Sequence, residues 1–84
     1  MRKILKGVGG RIKRLRTAKN LSQVKFGELI GVTNTHVYLM EKSLRMPSTS
    51  LLCLIGYKFE VSEDWLFSGK GEMLSKKGKL VGVK

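Results

Sequence analysis

Acidic residues are scarce in this chain, and cysteine and proline scarcer still. Its 84 residues include 6 Asp and Glu against 17 Lys and Arg, with a single cysteine, Cys53, and a single proline, Pro47. One cysteine excludes an internal disulfide framework and accords with a reducing compartment, so a cytoplasmic protein is expected. One histidine and one distant cysteine cannot make a zinc shell, so no metal site is expected. No apolar run approaches the length of a membrane span. The opening MRKILKGVGG has basic residues without the apolar stretch of a secretory signal. The acids are scattered, and no serine stands with a histidine and an acid at the spacing of a catalytic set. GKGEM, at 69–73, is too short for a phosphate loop and lacks the strand–loop–helix setting. An enzyme, a cofactor and a small-molecule ligand are therefore not expected.

What is present is positive charge, unevenly placed. The formal net charge is +11. Residues 1–45 carry 11 basic and 2 acidic side chains, whereas 46–69 carry one lysine against three acids, and 70–84 carry five lysines and one acid. A field polarised in this way favours a polyanion, nucleic acid before an acidic membrane surface.

Hydrophobic periodicity and cap residues divide the chain into short helices. Residues 1–9 read as a basic N-terminal arm, 10–68 as one domain and 69–84 as a basic tail. A first helix is expected from Gly10 to Lys19, with Ile12, Leu15 and Ala18 inward and Asn20 as the breaker. Ser22 caps a second, Gln23 to Ile30, whose apolar residues are Val24, Phe26, Leu29 and Ile30. Thr33 caps a third that runs to Lys42, with Val32 stapling onto Val37. After SLRMP, Ser48 caps a fourth, Thr49 to Lys58, with Leu51, Leu52, Ile55 and Phe59 on one face and Cys53 as a core thiol. Ser62 caps a fifth, whose first turn holds Glu63 and Asp64 at the positive end of the helix dipole and whose inner side holds Trp65, Leu66 and Phe67. The segment KLVGV in the tail reads as a mobile end or a short strand offered to a partner.

The second and third helices meet the requirements of a helix-turn-helix. The sharp turn takes a residue tolerant of left-handed backbone, Gly31. Close approach takes a small residue, Gly27, and the buried positions are Phe26, Ile30, Val32, Val37 and Met40. All these conditions are met in register within residues 23–42.

With RIKRLRTAKNLSQVKFGELIGVTNTHVYLMEKS, then PS ahead of an apolar helix, then VSEDWL, the chain resembles the Cro and phage-repressor helix-turn-helix family over about residues 10–67. The resemblance implies an all-α, compact five-helix, lambda-repressor-like domain that binds operator DNA as a two-fold dimer and regulates transcription. The third helix is then the recognition helix in the major groove. It further implies that Thr33, Asn34 and Thr35 meet the groove, Asn being able to bond adenine in bidentate fashion and Thr a base or a thymine methyl. His36 and Tyr38 flank them. Leu39 occupies a position often polar in the family, so it reads a thymine methyl or faces the core. Gln23 is expected on a phosphate and against the recognition helix, with Lys42, Ser43 and Arg45 in the backbone-clamping segment. Ser43 replaces a glycine common at that point. Arg16 and Glu41 match a buried ion pair between the first and third helices.

A single helix-turn-helix reads few base pairs, so a homodimer is expected. Its contacts are expected from the apolar surplus of the second half of the chain, notably Tyr57, Phe59, Phe67 and the LVGV of the tail. The reading from another class is an antitoxin-like or adaptor module that uses the same fold to hold a protein. An RNA-binding or membrane-surface module lacks the aromatic sheet signature of the one and the amphipathic basic helix of the other.

Overall fold

The structure, a computed structural model, describes residues 7–73. The expected arm from residue 1 to 6 and the tail from 74, including LVGV, lie outside the described residues. Five helices follow in order: α1 Val8–Ala18, α2 Gln23–Ile30, α3 Asn34–Glu41, α4 Thr49–Phe59 and α5 Glu63–Ser68. The all-α, five-helix expectation holds, with boundaries within two residues of those read from the sequence.

Local chemistry accounts for most helix starts. The hydroxyls of Ser22, Thr33, Ser48 and Ser62 accept from the backbone N–H groups of Lys25, His36, Leu51 and Trp65 at 3.0, 3.1, 3.1 and 3.3 Å. Each such cap contributes about 1 kcal/mol. α1 differs: its cap is Gly7, at φ 79°, with no side-chain bond. Asn20, expected as a breaker, does take positive φ, at 58°.

The core draws on every helix: Val8, Ile12 and Leu15 of α1, Phe26 and Ile30 of α2, Val37 and Met40 of α3, Leu52 and Ile55 of α4, and Trp65 and Leu66 of α5. α2 packs on α3 across the turn, α1 crosses α3, and α5 lies against α1 and α4.

Several expectations are corrected here. α1 begins at Val8, not Gly10, and Val8 is a core residue rather than part of an arm, because it stands one helical turn before Ile12. Ala18 is exposed, since the α1 stripe is complete with Val8, Ile12 and Leu15. Val24 is exposed because Phe26 and Ile30 already fill the inner side of α2. Cys53 is half-buried, at the margin of the α4 face centred on Leu52 and Ile55.

Two close backbone approaches set the orientation of α3. A Cβ built on Gly27 would stand 2.5 Å from the Val32 carbonyl oxygen, so the turn presses directly on α2. A Cβ on Gly9 would collide with the Met40 carbonyl oxygen and sit 2.9 Å from Ser43 Oγ. α1 thus crosses the C-terminal end of α3 at backbone contact, a role the sequence does not announce for a glycine beside a basic segment.

Candidate nucleic-acid interface

The turn between α2 and α3 has the expected form. Gly31 sits at φ 82° and its N–H donates to the Gly27 carbonyl at 2.8 Å, closing α2 in the left-handed conformation that glycine adopts without strain. Val32 donates to the same carbonyl at 2.9 Å. Val32 packs against the core that includes Val37, as a staple requires.

α3 then turns Val37 and Met40 inward and leaves an outer face. Asn34, Thr35 and Tyr38 are exposed, while His36 and Leu39 are half-buried. Asn34, Tyr38 and Lys42 follow at four-residue steps and share one stripe. Lys42 Nζ lies 5.9 Å from the Tyr38 ring centroid, within cation–π range. The side chains of Asn34 and Thr35 make no hydrogen bond among the described residues. Thr33, in contrast, uses its hydroxyl on the His36 N–H. Leu39 is neither fully in the core nor fully outward.

The orientation of that face is held further by one carboxylate. Arg16 donates to Glu41 through Nε to Oε2 at 2.6 Å and Nη2 to Oε1 at 3.2 Å, and Gln23 Nε2 donates to Oε1 at 3.1 Å. Arg16 Nη1 also bonds the Leu21 carbonyl at 2.8 Å. The Glu41 side chain is 3% exposed and that of Arg16 12%, so the ion pair is largely buried. α1, the start of α2 and the end of α3 are therefore tied at one point. Gln23 braces α3 in this way, and it is half-buried.

The loop after α3 folds back on it. Leu44 and Arg45 donate their N–H groups to the Leu39 carbonyl at 2.9 and 3.2 Å, and Ser43 donates to Met40 at 3.1 Å. Ser43 takes φ 64°, so serine occupies a left-handed position that favours glycine. Lys42, Ser43 and Arg45 are all exposed. Sequence reasoning missed Lys13, which lines a cleft with Tyr38 and Lys42. Its position one turn before Arg16 on α1 was the available signal. It also missed Leu44 and Met46, both exposed on the loop.

The expected dimer residues separate. Tyr57 is 79% exposed. Phe59 stacks on Phe26 with ring centroids 5.3 Å apart and planes at 16°, and is half-buried against the core. Its ring is engaged within the chain, unlike that of Tyr57. Phe67 is half-buried and borders a shallow cleft with Glu63, Asp64 and Ser68. Among the described residues no group of three or more His, Cys, Asp or Glu side chains is placed to hold a metal, and no helix is long and apolar enough to cross a membrane.

A family model described as helix-turn-helix matches residues 12–66. Among solved structures the chain is similar to the P22 c2 repressor protein, crystallised in complex with the synthetic operator 9T in the presence of Tl+. The TM-score is 0.69 and the identity 27%, over 75% of this chain and 96% of that one. It is also similar to a chain of the SinR protein/SinI protein complex, with TM-score 0.67 and 31% identity over 89% of this chain and 75% of that one. No curated protein sequence matches the chain.

Proposed function

This chain belongs to the helix-turn-helix family, of the Cro/C1 type, and from that premise we propose that it is a repressor binding a palindromic operator as a homodimer. That it is a DNA-binding regulator of transcription follows from the family and from its likeness to repressors. The finer reading rests on one observation above the others. The N-terminal half of α3 offers the uncommitted side chains of Asn34 and Thr35 to solvent, on a helix whose orientation is fixed by Glu41.

In this proposal α3 enters the major groove. Asn34 and Thr35 read base edges, Thr33 stands at the entry, and His36, Tyr38 and Leu39 flank the readers. Lys42, Ser43, Arg45 and the remaining donor of Gln23 hold the backbone, where contacts position the protein without specifying sequence. Lys13 of α1 and Lys42 at the end of α3 line one cleft with Tyr38, while Glu60, Glu63 and Asp64 stand at the end of α4 and the start of α5. The proposed place of action is the cytoplasm of a bacterium, or of a phage host.

Dimer contacts are proposed on α4, where Tyr57 and Leu54 are exposed apolar groups, and on Phe67 of α5, which is half-buried. A second reading, an antitoxin-like or adaptor module that holds a protein partner, draws support from the similar SinR protein, which was solved with SinI.

The test begins with selection of bound sites from a random duplex pool. A symmetric consensus is expected, with two chains per duplex in sedimentation of the complex. Asn34→Ala should lose ~1–3 kcal/mol on the selected site and little on random duplex. Equal losses on both would show that Asn34 is not a reader, and one chain per palindrome at saturation would remove the dimer.

A further inference from the structure

A cleft of about 370 Å³ lies between α1 and the recognition helix, lined by Lys13, Arg16, Gln23, Tyr38, Glu41 and Lys42. Its one carboxylate is committed, since both Arg16 and Gln23 donate to Glu41. Lys13 and Lys42 are exposed and have no acidic partner among the described residues. The walls therefore hold two ammonium groups beyond what the acid neutralises, together with a phenol. Like charges facing one space repel, and an anion seated between them relieves that repulsion. The anion that suits such a space has several acceptor oxygens for donors on different walls. A phosphodiester has this form.

The position of the cleft adds to its charge. Tyr38 and Lys42 lie on the same stripe of α3 as Asn34, one and two steps of four residues further on. Lys13 reaches the cleft from α1, a helix tied to α3 through the Arg16–Glu41 pair. An anion here would be held by two helices whose relative placement is already fixed.

We infer that the Lys13–Tyr38–Lys42 cleft seats one backbone phosphate of duplex DNA, making α1 a second clamp beside the reading helix. The assignment rests on the duplex-binding function proposed above. It makes Tyr38 a phosphate ligand rather than a base reader, and it gives Lys13 a role in affinity and none in sequence choice.

The test uses the full chain, a duplex selected from a random pool and an unselected duplex, each measured over a range of salt. Lys13→Gln should weaken both duplexes by the same factor and flatten the slope of log affinity against log salt by about 1 per bound chain, about 2 for a two-chain complex. Tyr38→Phe should weaken both duplexes alike. Lys58→Gln, on α4, serves as the control and should leave the slope unchanged. An unchanged slope in Lys13→Gln, with wild-type binding intact, overturns the cleft while the duplex-binding function stands. A Tyr38→Phe loss confined to the selected duplex overturns the assignment of Tyr38. A wild-type chain that binds neither duplex overturns the underlying function. Inorganic phosphate, titrated at constant ionic strength and followed by amide shifts of residues 13, 38 and 42, separates the source of the anion. Weak shifts without saturation are expected, and tight saturation would overturn the assignment to a DNA backbone.

Discussion

Arg16 grips Glu41 with two guanidinium nitrogens across 25 residues of sequence, and the carboxylate it holds is almost wholly buried. Removing the acid strands a guanidinium that is itself largely out of water. Glu41→Ala is therefore expected to cost ~3–5 kcal/mol of folding stability, the range for breaking one half of a buried pair. Urea denaturation checks this. A loss below about 0.5 kcal/mol would place the pair among surface contacts.

The backbone clamp makes a separate prediction. Arg45 is exposed, yet its N–H is pinned to the Leu39 carbonyl, so the loop holds the side chain beside the C-terminal end of α3. Arg45→Gln should weaken every duplex alike and reduce the salt slope by about 1 per bound chain, about 2 for a two-chain complex. An unchanged slope would mean that Arg45 neutralises no phosphate.

Ser43 makes a prediction of opposite sign. At φ 64° it carries the steric cost of an L-residue in the left-handed region. Ser43→Gly removes that cost but adds freedom to the unfolded chain, so a net gain of ~0.5–1 kcal/mol is expected, seen as a raised Tm in calorimetry. A lowered Tm would indicate that the Ser43 hydroxyl does more for the fold than the strain takes away.

Gly9 and Gly27 predict losses. A methyl at either meets backbone, which yields less readily than a side chain. Gly9→Ala and Gly27→Ala should each cost ~1–3 kcal/mol, as overpacking does. Gly10→Ala is the comparison, since a Cβ there meets nothing within 4 Å. It should be neutral or stabilising, alanine being the better helix former. Equal behaviour of Gly9→Ala and Gly10→Ala, read from thermal melts, would remove the close α1–α3 crossing.

What could be read from the sequence was what depends on near neighbours. Ser22, Thr33, Ser48 and Ser62 announce helix starts because a cap needs only the next three residues. Gly31 announces the turn because its backbone demands are local. The Arg16–Glu41 pair was available only through family resemblance, since nothing in the spacing of the two residues brings them together. Val8 and Gly9 looked like a loose segment because their partners lie on α3 and elsewhere in the core. Phe59 looked free for a partner because its ring mate, Phe26, is 33 positions away. Lys13 was one cation among many until the fold set it across from Tyr38.

The last link in the fold joins its first and final helices. Arg11 on α1 donates Nε to the Leu66 carbonyl at 2.9 Å and Nη2 to the Phe67 carbonyl at 3.0 Å, supplying the end of α5 with donors it lacks. Methyl groups built on Gly7 and Gly69 would stand 3.0 and 3.1 Å from the same guanidinium. The two ends of the helical domain therefore meet at one side chain, and in the mechanical sense the fold is a closed loop with Arg11 as its clasp. Tension applied between residues 7 and 69 would load that clasp directly, peeling α1 from α5. The same proximity suits the domain to circular permutation, with a short linker joining the old ends.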